Sequence, residues 1–152
     1  MDKNIAIGNK WKIKGLTERL RSKGLAVTKQ RMAILDYVTT HENHPTVESI
    51  HSDLSRQFGS LSKTTIYNTL KQFADCGIVR LIHNNESICA DCITEPHGHF
   101  ICTRCGGVTN VPYVHIPNID SLLNGYDIQE AQQYYRGICE ACKKKQEYDY
   151  IT

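Results

Sequence analysis

No stretch of this sequence stays apolar for more than a few residues. A membrane-spanning helix needs ~20, so no membrane partner is expected. The opening residues, Met1-Asp2-Lys3-Asn4-Ile5-Ala6, lack the long apolar segment and small-residue cleavage site of a secretory signal, which points to a cytoplasmic protein. There is no phosphate-binding glycine loop, no His-Glu-x-x-His and no Ser/His/Asp arrangement. Without a nucleophile, a base or a substrate cradle to start from, an enzyme is not expected. Low-complexity stretches and long internal repeats are absent as well. The 152 residues suffice for one ordinary domain or two small ones. Halves of roughly 70 residues would be marginal on their own cores and would need a staple, a metal or a partner subunit.

What is present is cysteine. Six of the seven fall in three C-x-x-C pairs, Cys89/Cys92, Cys102/Cys105 and Cys139/Cys142, and Cys76 stands alone. In a reducing compartment such spacing reads as metal binding rather than disulfides. The charge is unevenly spread. Residues 1–84 carry 13 Lys/Arg against 7 Asp/Glu, whereas residues 85–152 carry 5 against 9. A basic first half suits a polyanionic partner, although a solvated surface would look the same.

Residues 1–13 have no clear period and read as an arm. A short helix is expected from Leu16 to Lys23, closed by Gly24. Thr28 can cap a second helix, Lys29 to about Thr39. Pro45 disfavours helix at His44, and Thr46 can cap a third, Val47 to Phe58. Ser62 can cap a fourth, Lys63 to Asp75, with Ile66, Leu70 and Phe73 on one face. A hairpin follows, Ile78–His83 and Ser87–Cys92, turning at Asn84-Asn85. Helices followed by a hairpin are the order of a winged helix-turn-helix. Its fourth helix would enter the major groove of double-stranded DNA, offering Ser62, Lys63, Thr64, Thr65, Tyr67 and Asn68. Beyond residue 93 short strands are expected at His99–Cys102 and Gly107–Val111, a short helix near Ile119–Asn124, and a longer strand over Tyr126–Ile138. The fold class is therefore α+β, with a winged-helix DNA-binding domain over 1–92 and a metal-binding domain over 93–152.

Four thiolates around Zn²⁺ form a closed tetrahedral site that contributes folding energy. Cys102, Cys105, Cys139 and Cys142 fit that role, since Gly106-Gly107 allow a tight turn behind Cys105 and the last pair closes the chain. Cys89 and Cys92 lie within a strand, where residues three apart face opposite sides. Neither C-x-x-C pair of the zinc set is expected at a helix start after a strand, where a redox pair would sit. Just before Cys102, Glu95-Pro96-His97-Gly98-His99 places two histidines on one side of an extended chain, able to share an ion. Further ligands for that ion would come from Asp91, Cys92, Cys89, Asn110 or His44. His41, His51, His83 and His115 have no spacing argument.

The segments "GLAVTKQRMAILDYV", "HPTVESIHSDL", "SKTTIYNTLKQFADCGIVR", "PHGHFICTRCGGV" and "YYRGICEAC" together resemble the ferric uptake regulator family over nearly the whole chain. The resemblance implies a homodimer of winged-helix domains joined to α/β dimerisation domains, acting as a metal-dependent repressor on operator DNA. It implies a four-cysteine structural zinc and a regulatory metal held by His44, Asp91, His97 and His99. The family's fifth ligand position, usually Asp or Glu, is Asn110 here, a neutral and weaker oxygen ligand. Pro96 and Gly98 stand where the iron-sensing branch has additional ligands. The "HPT" segment, "YNTL" and the spacing of Asp91 from His97 resemble the peroxide-sensing branch, whose hinge Fe²⁺ or Mn²⁺ site answers peroxide. The zinc-uptake branch carries an upstream Cys, for which Cys89 or Cys92 would serve, with Zn²⁺ as the regulatory ion.

Overall fold

The computed structural model describes residues 14–41, 43–92 and 96–149, with side chains as far as Lys145. The arm expected over residues 1–13, and Glu95, lie outside the described residues. The chain forms two compact units. The first holds the described residues of 14–83 and 87–92, and the second holds 84–86 and 96–149.

The first unit is helical. Helix α1 covers residues 14–22, followed by α2 (Lys29–Thr40), α3 (Val47–Leu54) and α4 (Lys63–Asp75). Each of the last three starts at a hydroxyl cap. Thr28 accepts from the Arg31 amide, Thr46 from that of Ser49 and Ser62 from that of Thr65. Such caps satisfy donors that the first helical turn leaves open, each worth about 1 kcal/mol. Leu20, Ile34, Leu35, Ile50, Ile66, Leu70, Phe73 and Ile78 form the core, all completely buried. Helix α3 ends at Leu54 rather than running to Phe58. Residues 55–57 form turns, and Phe58 bonds back to the Leu54 carbonyl. Strands β1 (Val79–Asn84) and β2 (Ser87–Cys92) pair as a hairpin, and Asn85 at its turn takes a positive φ of 34°.

The second unit is built on β3 (His97–Cys102), β4 (Val108–Pro112) and β5 (Tyr134–Gly137) in the order β4-β3-β5. β3 is antiparallel to β4 and parallel to β5. Between β4 and β5 lies the one-turn α5 (Ile119–Leu122), and α6 (Glu140–Asp149) follows β5. The long strand expected over 126–138 is limited to Tyr134–Gly137. Only those residues lie alongside β3 with ladder partners, and Ile128 is half-exposed. The basic run Lys143-Lys144-Lys145 lies within α6. Apart from Ile101, Cys102 and Cys142, this unit buries few apolar side chains, while Tyr113, Val114, Ile116, Leu122, Tyr126 and Tyr135 are exposed. Among the described residues no helix is long and apolar enough to cross a membrane.

Candidate metal centres and nucleic-acid interface

In the second unit β3 delivers Cys102 into a turn that returns through Gly106, whose φ of +72° suits glycine. The Gly106 amide bonds the Cys102 carbonyl at 2.9 Å and the Cys102 amide bonds the Gly107 carbonyl at 2.9 Å. The Cys102 sulfur accepts from the amides of Cys105 (3.5 Å) and Cys139 (3.3 Å), and the Cys105 sulfur from that of Gly107 (3.4 Å). Those amides pull the Cys102 thiol down to about 6, Cys105 first and Cys139 second. Cys142 is pushed up to about 12, chiefly by its contact with Cys139 and by burial. One sulfur is held as thiolate and another as thiol by the same cluster. All four sulfurs lie within 4.8 Å of one another, and Cys105 and Cys139 are 3.9 Å apart. Four soft donors converging from two turns suit a tetrahedral ion.

The pair Cys139/Cys142 does sit at a helix start after a strand, contrary to the sequence reading. Cys139 precedes α6 and Cys142 lies in its first turn. What argues against a redox pair is therefore the convergence of Cys102 and Cys105 on the same point, a tertiary feature that spacing alone does not carry.

On β3 the two histidines share a face, as alternation requires. Their Nε2 atoms are 3.1 Å apart, and the rings meet edge-on with centroids at 4.7 Å. His99 is buried against Tyr134, with ring centroids 5.8 Å apart. Asn110 lies opposite His99 in the β3–β4 register and is exposed.

In the first unit the segment before α3 lies alongside β2. Thr46 and Cys89 form an antiparallel bridge, and the Ala90 amide donates to the Pro45 carbonyl at 2.9 Å. The buried His44 has a positive φ of 52°, a backbone state costing a non-glycine residue about 1–3 kcal/mol. Its Nε2 lies 3.5 Å from Asp91 Oδ1. On the other side of Asp91, Arg80 Nη1 lies 3.9 Å from Oδ2. The two strand cysteines have separate surroundings. Cys89 is buried, and burial, then the Glu48 carboxylate, raises its thiol. Cys92 is half-buried, 3.9 Å from the Arg19 guanidinium, which also donates to the Ile78 carbonyl at 3.2 Å.

Helix α4 buries Ile66, Thr69, Leu70 and Phe73. Lys63, Thr64, Tyr67 and Asn68 lie on its exposed side. Ser62 and Thr65 are occupied by the cap, their hydroxyls 2.9 Å apart. Lys71 and Gln72 extend the exposed face, and Arg31 of α2 donates to Gln72 at 2.7 Å. Sequence reading passed over Arg19, Arg31 and Arg80, because a lone arginine carries no motif. A partner in strand or helix register is the only signal that would have found them.

A model of the ferric uptake regulator family matches residues 22–132. The chain belongs to that family. Within it, the peroxide-responsive repressor PerR of Staphylococcus epidermidis is 34% identical over 130 residues, covering 83% of this chain and 87% of that protein. Among solved structures, PerR from Streptococcus pyogenes, described as peroxide-sensing and gene-regulating, aligns with a TM-score of 0.50 and 27% identity, over 86% of this chain and 92% of that one. The ferric uptake regulator of Helicobacter pylori aligns with a TM-score of 0.67 at 17% identity, over 86% and 93% of the two chains, and supports the fold alone. This family member keeps both the α+β architecture and the four-cysteine cluster.

Proposed function

We propose that this protein is a cytoplasmic, homodimeric, metal-dependent transcriptional repressor that senses peroxide. The observation that carries the reading is the ligand chemistry within each unit. The first offers a buried His44–Asp91 pair and the second a His97–His99 pair. Nitrogen and oxygen donors of this kind suit Fe²⁺ or Mn²⁺. Peroxide-responsive relatives at 34% identity and above support the same branch.

The first unit is the DNA-binding domain. Lys63, Thr64, Tyr67 and Asn68 of α4 face the operator, and Ser62 and Thr65 hold the helix start. The second unit is the dimerisation domain, and its exposed apolar side chains suit burial by a second copy. Cys102, Cys105, Cys139 and Cys142 hold structural zinc, compensating for the unit's small core.

His44, Asp91, His97 and His99 together hold the regulatory ion. Cys92 lies on the strand face opposite Asp91 and Asn110 is exposed, which supports a set without them. Ligands drawn from both units favour one arrangement of the DNA-binding domains, by no more than the difference in ion affinity between arrangements. Operator and ion then strengthen each other's binding reciprocally. Iron, when bound, supplies the redox chemistry that makes peroxide reactive. A histidine ring of the ligand set takes one oxygen atom of peroxide and the other leaves as water, after which that ring is a poorer donor and the operator is released.

The test begins with duplex DNA selected from a random library by the Mn²⁺-loaded protein. The Fe²⁺-loaded protein should bind it, lose binding on peroxide treatment, and gain one oxygen on a peptide containing His44, His97 or His99. The Mn²⁺-loaded protein should keep its DNA. Peroxide-insensitive binding with Fe²⁺, together with a Zn²⁺ response lost in Cys89→Ser, would favour the zinc-sensing reading instead.

A further inference from the structure

Asp91 is the carboxylate of the proposed regulatory set, and it lies in a strand with a neighbour on each side. His44, on the segment bridged to β2, approaches one carboxylate oxygen at 3.5 Å, and Arg80, on β1, approaches the other at 3.9 Å. The Arg80 side chain is 17% exposed and the Asp91 side chain 9%, so water screens this pair little. We propose that Arg80 is a built-in counter-ion that competes with the regulatory metal for Asp91, setting the metal affinity lower than the ligands alone would give.

The inference rests on Asp91 being a ligand, as proposed above. A fixed guanidinium beside a carboxylate acts in two ways. It repels an arriving dication, and by lying on the Oδ2 side, 3.9 Å away, it favours approach of the metal from the His44-facing oxygen. Arginine keeps its charge at any physiological pH, so this opposition is permanent. It weighs more in this chain than in one with a second acidic ligand. Three neutral imidazoles and one carboxylate around M²⁺ leave a net positive charge, and the alternative oxygen donor Asn110 adds no compensation. In the metal-free protein the effect reverses, because Arg80 then neutralises a carboxylate that is nearly buried.

This opposition of signs makes a clean experiment. Mn²⁺ affinity is measured on the zinc-retaining full-length protein by competition with a fluorescent chelator, and thermal stability is measured without Mn²⁺. Arg80→Gln should bind Mn²⁺ about tenfold tighter or more, a conservative fold-change for removing one charge at this range. Its melting temperature without Mn²⁺ should fall. Arg80→Lys should restore near-wild-type behaviour in both measurements. If Arg80→Gln does not accumulate in folded form, Arg80→Met keeps the aliphatic stem and serves in its place. Weaker or unchanged Mn²⁺ binding in the neutral variant overturns the counter-ion role, since an arginine that merely props up the fold or orients Asp91 would lower affinity when removed. Asp91→Asn separates the two layers. If it binds Mn²⁺ as tightly as wild type, the ligand assignment itself fails; if it loses Mn²⁺ while Arg80→Gln is unchanged, only the counter-ion role fails.

Discussion

His44 and Asp91 face each other across an antiparallel register that neither residue makes. Thr46 bridges Cys89 and Ala90 bonds Pro45, so the residue two before Thr46 falls opposite the residue two after Cys89. The pairing of a loop histidine with a strand carboxylate is thus set by the backbone of "HPT" against β2. His44 accepts a positive φ to complete it.

Replacing His44 with alanine should leave the four-cysteine metal in place, because all four cysteines belong to the other unit. The affinity for the regulatory ion should fall at least 10–100-fold, the scale seen even for loss of a group that only supports a metal ligand. Metal-stimulated operator binding should disappear with it. Metal analysis and gel-shift titration with and without Mn²⁺ would check this, and an unchanged metal response would remove His44 from the site.

Serine at Cys102 should cost the structural zinc, because its sulfur gathers two backbone amides that lower its thiol to about 6. Zinc release and dissociation to monomer should coincide when followed by metal analysis and light scattering. Zinc uptake at pH 7 should also release protons, since the Cys142 thiol is held protonated to about 12 without metal. Calorimetry in two buffers of different ionisation enthalpy reads that number.

On α4 the expected effects divide by role. Tyr67→Ala and Lys63→Ala should weaken operator binding without changing dimerisation, and Lys63→Ala should reduce the salt slope by about 0.9 if it meets a phosphate. Ser62→Ala should chiefly cost stability, about 1 kcal/mol for the lost cap. Affinity measured at several salt concentrations, together with urea denaturation, separates the two.

Tyr37 supplies a pH signature. Burial first, then its hydrogen bond to Asp53 Oδ2, raises its hydroxyl above the ordinary 10. A raised folded-state pKa stabilises fully below the unfolded value and ceases to do so as pH rises through the folded one. Wild type should therefore lose stability above about pH 10. Tyr37→Phe should be destabilised by about 1.5 kcal/mol at pH 7 and show a shallower alkaline loss in urea midpoints.

The helix starts were legible because capping is local: Thr28, Thr46 and Ser62 each accept from an amide three residues on. Cysteine spacing likewise carried the four-thiolate cluster. The extent of β5 was not legible, since a strand ends where its neighbour stops pairing, and the sequence over 126–133 does not encode where β3 runs out. Nor was the helical setting of Cys139/Cys142, as Lys143-Lys144-Lys145 has the composition of a solvated tail as much as of a helix. Arg80 gained significance only from the strand beside it.

The hairpin tip is where the chain leaves the first unit before it has finished building it. Asn84 donates to the Gly106 carbonyl at 2.5 Å and Asn85 to that of Thr103 at 3.3 Å, so residues 84–86 belong with the turn that carries Cys102 and Cys105. The polypeptide crosses between the units three times rather than once. No single cut of the gene can therefore free one unit whole, because a fragment ending after β2 carries residues 84–86 away from the Gly106 and Thr103 carbonyls they bond. Separable function here does not mean separable sequence.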